Sequence, residues 1–130
     1  MAATREARLG YVPHFDVVTI DGHRVRYQEI WQRRNLVLAV LPADQHTTAV
    51  RYADDLMRRR RDFDEAETTL VVTTGSVPGV PAPCLVIADR WGEIQHVAAP
   101  AGGDLSQLPD PDEVLSWIRF VRIQCPECPP

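Results

Sequence analysis

Two of the chain's three cysteines, Cys125 and Cys128, stand three residues apart in its last segment, QCPECPP. Cys-x-x-Cys spacing serves two kinds of chemistry. A dithiol at this spacing can cycle to a disulfide, and two thiolates can form one knuckle of a tetrahedral zinc or iron site. Local electrostatics oppose a fast nucleophile. The pair follows a helical pattern, at the negative end of its dipole, and Glu127 lies between the two sulfurs, so both effects raise the thiol pKa. A metal would need further ligands. The chain contains no second knuckle, so a homodimer would have to share the ion, or His14, His23 or His96 would have to join. Prolines 126, 129 and 130 stiffen the segment. Three readings stay open here: a slow disulfide pair, a metal-linked dimer, and free thiols.

Other candidate groups are sparser. Cys84 opens an apolar run, CLVIA, where a thiol is an ordinary small core residue. Four arginines, Arg58–Arg61, end a helical pattern. They read as a solvated terminal turn balanced by Asp62, Asp64, Glu65 and Glu67, with an anion or acidic-partner site as the alternative. The four histidines are scattered and none has H-x-x-x-H spacing. Gly75 and Gly79 lack the pattern that cradles phosphate. Trp31, Trp91 and Trp117 read as core or turn-packing residues.

These groups must be held by 130 residues, enough for one domain with a core of its own. A composition 45% hydrophobic and 25% charged is that of a globular chain. The net charge of -4 argues against nucleic acid as a partner. No apolar stretch nears the roughly 20 residues of a membrane span. The opening MAATREARLG shows no secretory signal, so a cytoplasmic location without a disulfide framework is the expectation.

Periodicity supplies the elements. Phe15, Val17 and Thr19 alternate with their neighbours up to Asp21-Gly22, and Val25 and Tyr27 resume the alternation, which predicts a β-hairpin. A turn of helix follows around 28–32. Residues 35–41 (NLVLAVL) and 68–74 read as strands buried on both faces. Ala49, Tyr52, Ala53, Leu56 and Met57 line one face of a helix over 47–61. Residues 84–88 and 93–98 form a second hairpin about the turn 89–92. Residues from 111 onward form a helix with Asp110 as cap and Pro111 in first position. A strand–helix–strand crossover requires parallel strands. The fold class is α/β: a central mixed sheet flanked by helices, with an N-terminal β-hairpin, over 1–124, and a Cys/Pro-rich tail over 125–130.

This order resembles the thioredoxin fold in the form used by peroxiredoxins and related redoxins, the alkyl hydroperoxide reductase and thiol-specific antioxidant family. VPHFDVVTIDGHRVRYQEIW is similar to the redoxin opening. NLVLAVLPADQHTTAV is similar to the strand and loop that lead into its catalytic helix, and VPAPCLVIADRWGEI to its proline-then-strand segment. The family places a cysteine at the start of the first long helix, where the dipole stabilises a thiolate. Residues 42–49 contain none. In the peroxiredoxin register Ala49 stands in that cysteine's place and His46 in that of an assisting threonine; in the thioredoxin register Gln45 and Thr48 replace both cysteines. The resemblance also implies a cis bond before Pro83, facing the helix start, and sets Cys84 beside the groove as a second candidate thiol. The resulting expectation is a thioredoxin-like protein without the peroxidatic cysteine and without cofactor. Any thiol–disulfide chemistry then falls to Cys125 and Cys128. The alternatives are a module binding a peptide or protein in a groove around His46, Thr47, Thr48 and Pro83, or a homodimer sharing zinc or iron through Cys125 and Cys128.

Overall fold

The computed structural model describes residues 10–43 and 47–123. Cys125, Cys128 and His46, and with them the 125–130 tail, lie outside the described residues. Among the described residues, six strands and three α-helices carry the fold. β1 (Asp16–Val18) and β2 (Arg24–Arg26) form the hairpin, followed by a 3-10 turn at Tyr27–Glu29. Then come β3 (Asn35–Val40), α1 (Thr47–Arg58), α2 (Arg60–Glu65), β4 (Thr68–Thr73), β5 (Cys84–Ala88), β6 (Ile94–Ala98) and α3 (Pro111–Ile123). The main sheet runs β4-β3-β5-β6, with β3 and β4 parallel and the other pairs antiparallel.

Sheet position accounts for the sequence patterns. β3 is interior and covered on both faces, and all six of its residues are buried. β6 is an edge strand and alternates between half-buried and exposed residues. The two apolar clusters lie on opposite sides of the sheet. Val37, Ala39, Leu85 and Ile87 point toward α1, α2 and α3, meeting Leu56, Phe63, Val114 and Ile118. Leu36, Leu38, Val40, Cys84 and Val86 point toward the hairpin and the 3-10 turn, meeting Val17, Tyr27 and Ile30. The mixed sheet flanked by helices is thus as expected. All three helices pack on one face, and the hairpin layer closes the other.

The long helix differs from expectation. Instead of running over 47–61 it breaks at Arg59, where φ and ψ are -100° and 12°, and α2 starts anew. In an unbroken helix Arg60 would fall on the same stripe as Ala53, Leu56 and Phe63. The break lets Phe63 stay buried while Arg60 turns out toward Asp21, with both guanidinium nitrogens 3.3 Å from that carboxylate. The charge balance of the arginine run is corrected in the same way. Arg58 pairs with Asp55, Arg59 with Asp112 and Arg60 with Asp21. Asp64 pairs with Arg34, and Glu67 with Arg90. Apart from Arg58–Asp55, neighbours one turn apart on α1, packing rather than nearness in sequence chooses the partners.

The segment between β6 and α3 holds two 3-10 turns, at Ala101–Gly103 and Leu105–Gln107. Asp110 caps α3 as expected, its carboxylate accepting from the Asp112 N–H at 3.0 Å. The turn between β5 and β6 needs glycine at Gly92. Its φ is +85°, and an added Cβ would stand 3.1 Å from the Tyr27 hydroxyl. Trp31 and Trp91 pack at this turn, half-exposed, with the Trp31 indole N–H donating to the Trp91 carbonyl at 3.2 Å.

A buried and a half-buried tyrosine make the fold sensitive to alkali. Burial, reinforced by the charge of Asp89, pushes the Tyr27 hydroxyl up to about 12, and that hydroxyl has no hydrogen-bond partner among the described residues. Tyr52 is raised further, by burial first and then by Asp110 and Glu113, while its hydroxyl donates to the Pro109 carbonyl at 2.7 Å. Unfolded tyrosine ionises near about 10. The folded chain therefore keeps protons that the unfolded chain loses, and stability falls as pH rises from about 10 toward 12. Denaturant midpoints measured across that interval, with phenolate absorbance followed in parallel, should drop together with the appearance of phenolate. A midpoint unchanged across the interval would contradict the assignment.

Candidate functional site

Of the residues expected to form a groove, Thr47, Thr48 and Pro83 are among those described, and they lie toward one end of the sheet. Val40, the last residue of β3, pairs with both Thr73, the last of β4, and Cys84, the first of β5. The segments just beyond (Leu41-Pro42, Thr74-Gly75 and Ala82-Pro83) therefore cluster at this end. The Ala82–Pro83 bond is cis. Strand geometry brings α1 back to the same end, because the crossover to β4 must start there.

Not every expected groove residue lines one cavity. Thr47 and Thr48 are exposed in the first turn of α1. Thr48 faces a small cleft of about 270 Å³ shared with Leu105, Ser106 and Asp110. Pro83 lies against the same connecting segment, its Cδ 3.6 Å from where a Cβ on Gly103 would stand. The larger cavity at this end, about 670 Å³, lies on the other side of the α1 start. Ala49, Val50 and Ala53 of α1, Val18 and Ile20 of the hairpin, and Pro42 form most of its apolar wall. Val18, Ile20 and Val50 are exposed there. The hairpin contribution was missed at the sequence level, although a signal existed. In DVVTI both phases of the strand are apolar, and only Val17 and Thr19 turn inward.

The chemistry at the helix start is meagre. Thr47, Thr48 and Ala49 supply two hydroxyls and no thiol, and Ala49 is buried. Cys84, the one cysteine among the described residues, is 1% exposed. It packs with Val40 and Val86 on the hairpin side of the sheet, and burial pushes its thiol up. At neutral pH it is held protonated, the condition of a packing residue rather than an attacking one. The histidines weighed as metal ligands are far apart in role. The His14 ring meets Tyr27 and Trp31, His23 lies 4.0 Å from the Asp21 carboxylate, and the His96 ring lies tilted against Trp117 with ring centroids 4.0 Å apart. No group of three or more His, Cys, Asp or Glu residues among the described residues is placed to hold a metal ion.

A four-stranded mixed sheet with α1 entering after β3, a cis-proline opening β5 and a terminal helix on α1's face is a thioredoxin-like architecture. Among solved structures it is similar to peroxiredoxins and to thioredoxin-family proteins. The 2-Cys peroxiredoxin of Plasmodium vivax superposes with a TM-score of 0.71 at 14% identity, over 91% of this chain and 83% of that one. A yeast mitochondrial 1-Cys peroxiredoxin gives 0.69 at 12% identity, over 90% and 76%. A thiol:disulfide interchange protein of the thioredoxin family from Chlorobium tepidum TLS gives 0.64 at 10%, over 89% and 98%. At these identities the likeness is one of fold. No family model matches the sequence, and no curated protein matches it. No described helix is long and apolar enough to cross a membrane.

Proposed function

We infer that the chain is a redox-associated protein of thioredoxin-like fold, stripped of thiol chemistry at its helix start, with any remaining exchange carried by Cys125 and Cys128. One observation carries this reading: the start of α1 holds no sulfur, and the one described cysteine is buried, which pushes its thiol up. Of the three cysteines in the sequence, two remain for exchange. In the reductive direction the thiolate of one attacks a disulfide of the substrate, forming a mixed disulfide and releasing one substrate thiol. The second cysteine then attacks that bond, releasing the other thiol. The pair ends as a disulfide, and two electrons and two protons have passed to the substrate. Without a dipole-stabilised thiolate, the exchange is slow.

Mass spectrometry with thiol alkylation, before and after reduction, tests the pairing. The expected result is a Cys125–Cys128 disulfide that a reductant reverses, and a slow disulfide-reductase activity lost in Cys125→Ser but kept in Cys84→Ala. Three freely alkylated thiols after mild oxidation would refute it. Metal retained in a native dimer would establish the shared zinc or iron site instead. The apolar wall of Val18, Ile20 and Val50 supports a second reading, a peptide- or protein-binding module at the α1 end. Its mark would be partner binding that ignores both tail cysteines and is weakened by Val50→Asp.

A further inference from the structure

A second groove of about 670 Å³ lies along the free edge of the sheet. β4 is an edge strand, so alternate residues along it present backbone N–H and C=O groups away from β3. The N–H groups of Asn35 and Leu41 donate to the carbonyls of Glu67 and Thr73, so odd-numbered residues face β3 and Thr68, Leu70 and Val72 face outward. The two ends of this edge are occupied. The Arg34 guanidinium donates to the Thr68 carbonyl at 3.0 Å, and the Ile20 N–H to the Val72 carbonyl at 2.9 Å. Between them the N–H and C=O of Leu70 have no partner among the described residues.

The walls beside this open rung are cationic. Arg34, Arg58, Arg60 and Arg61 line the groove, against Asp21 and Asp64, with Val25 and Met57 as apolar floor. A chain of net charge -4 thus carries one concentrated positive trough. Arg34, Arg58 and Arg60 are engaged with Asp64, Asp55 and Asp21, whereas Arg61 has no ion pair among the described residues.

We propose that this trough docks a short, extended, acidic segment of a partner protein, which adds one rung of strand pairing at Leu70 and sets its carboxylates against Arg60 and Arg61. Strand addition at a sheet edge draws affinity from main-chain hydrogen bonds and specificity from side chains on either side. The hairpin tip and Arg34 limit the pairing to a few residues, which favours a transient partner over sheet-to-sheet association of copies. The trough lies apart from the α1 end, so this inference is independent of the thiol reading.

The probe is a fluorescein-labelled peptide of alternating glutamate and valine, followed by anisotropy at low salt with the full-length protein. Binding is expected to weaken about fivefold in Arg61→Glu, an exposed change that leaves the fold intact. N-methylating the peptide at alternate residues should weaken binding about fivefold in one phase and leave the other unchanged, because only one phase faces Leu70. The Leu70 amide should exchange more slowly with peptide bound. Absence of binding would overturn the proposal. So would binding indifferent to N-methylation with an unprotected Leu70 amide, or polyphosphate competing as well as the peptide, either of which would reduce the trough to a general anion surface.

Discussion

Phe63→Ala should lower the unfolding free energy by about 3–5 kcal/mol, the usual cost of emptying a buried aromatic site. Phe63 is fully buried, and it is carried by a helix of only six residues. Such a helix has no stability of its own. α2 also lacks a side-chain cap at Arg59, and its other apolar contact with the core is the small Ala66 at its end. Removing the ring therefore opens a cavity among Leu56, Leu70 and Ile118 and unfastens the turn that delivers the chain into β4. The Arg34–Asp64 ion pair, 2.7 Å long but exposed on the aspartate side, contributes too little to hold α2 in place. Urea denaturation with Phe63→Leu, which keeps most of the apolar volume, as the control would check this. The leucine variant should lose about 1 kcal/mol, and an equal loss in both would show that α2 is held by something other than the ring.

Asp89→Ala should cost about 2–4 kcal/mol through a different mechanism. The carboxylate of Asp89, 4% exposed, accepts from the Trp91 N–H at 2.9 Å, the Glu93 N–H at 3.0 Å and the Gln95 side-chain amide at 3.1 Å. Alanine would leave those two backbone donors in the turn without an acceptor. The damage should spread. Glu93 bridges to Tyr11, and the Val12 N–H donates to the Gly92 carbonyl, so the first described residues are tied to this turn. Amide exchange at Trp91, Glu93 and Val12 should accelerate together in the variant. Acceleration confined to Trp91 would mean that the first described residues are anchored elsewhere.

Most of the sheet was legible from residue patterns because its strands are strongly driven. An unbroken apolar run such as 35–40 can be satisfied only by burial on both faces, and the Asp21-Gly22 and Asp89–Gly92 turns offer backbone freedom where hairpins need it. Long-range geometry was less visible. The break at Arg59 is decided by whether Arg60 could share a stripe with Leu56 and Phe63, which depends on what packs above α2. Arg59 and Asp112 are partners because α2 and α3 lie side by side on the same face, a relation absent from local periodicity. At the α1 end the lack of a cysteine in 42–49 could be read directly, whereas the apolar wall from Val18 and Ile20 depends on how the hairpin docks.

The burial of β3 has a consequence for how the chain is made. Its two neighbours, β4 and β5, are supplied from about thirty and about fifty residues further along the chain, and both loops must close before β3 is hydrogen-bonded on each side. During synthesis Leu36–Val40 therefore emerges long before Cys84–Ala88 exists to cover its second edge. A chain cut short between β4 and β5 would keep that run of apolar residues as a bare strand edge. It would sooner associate with its own copies than remain in solution. Completion of β5 thus separates a folding chain from an aggregating one.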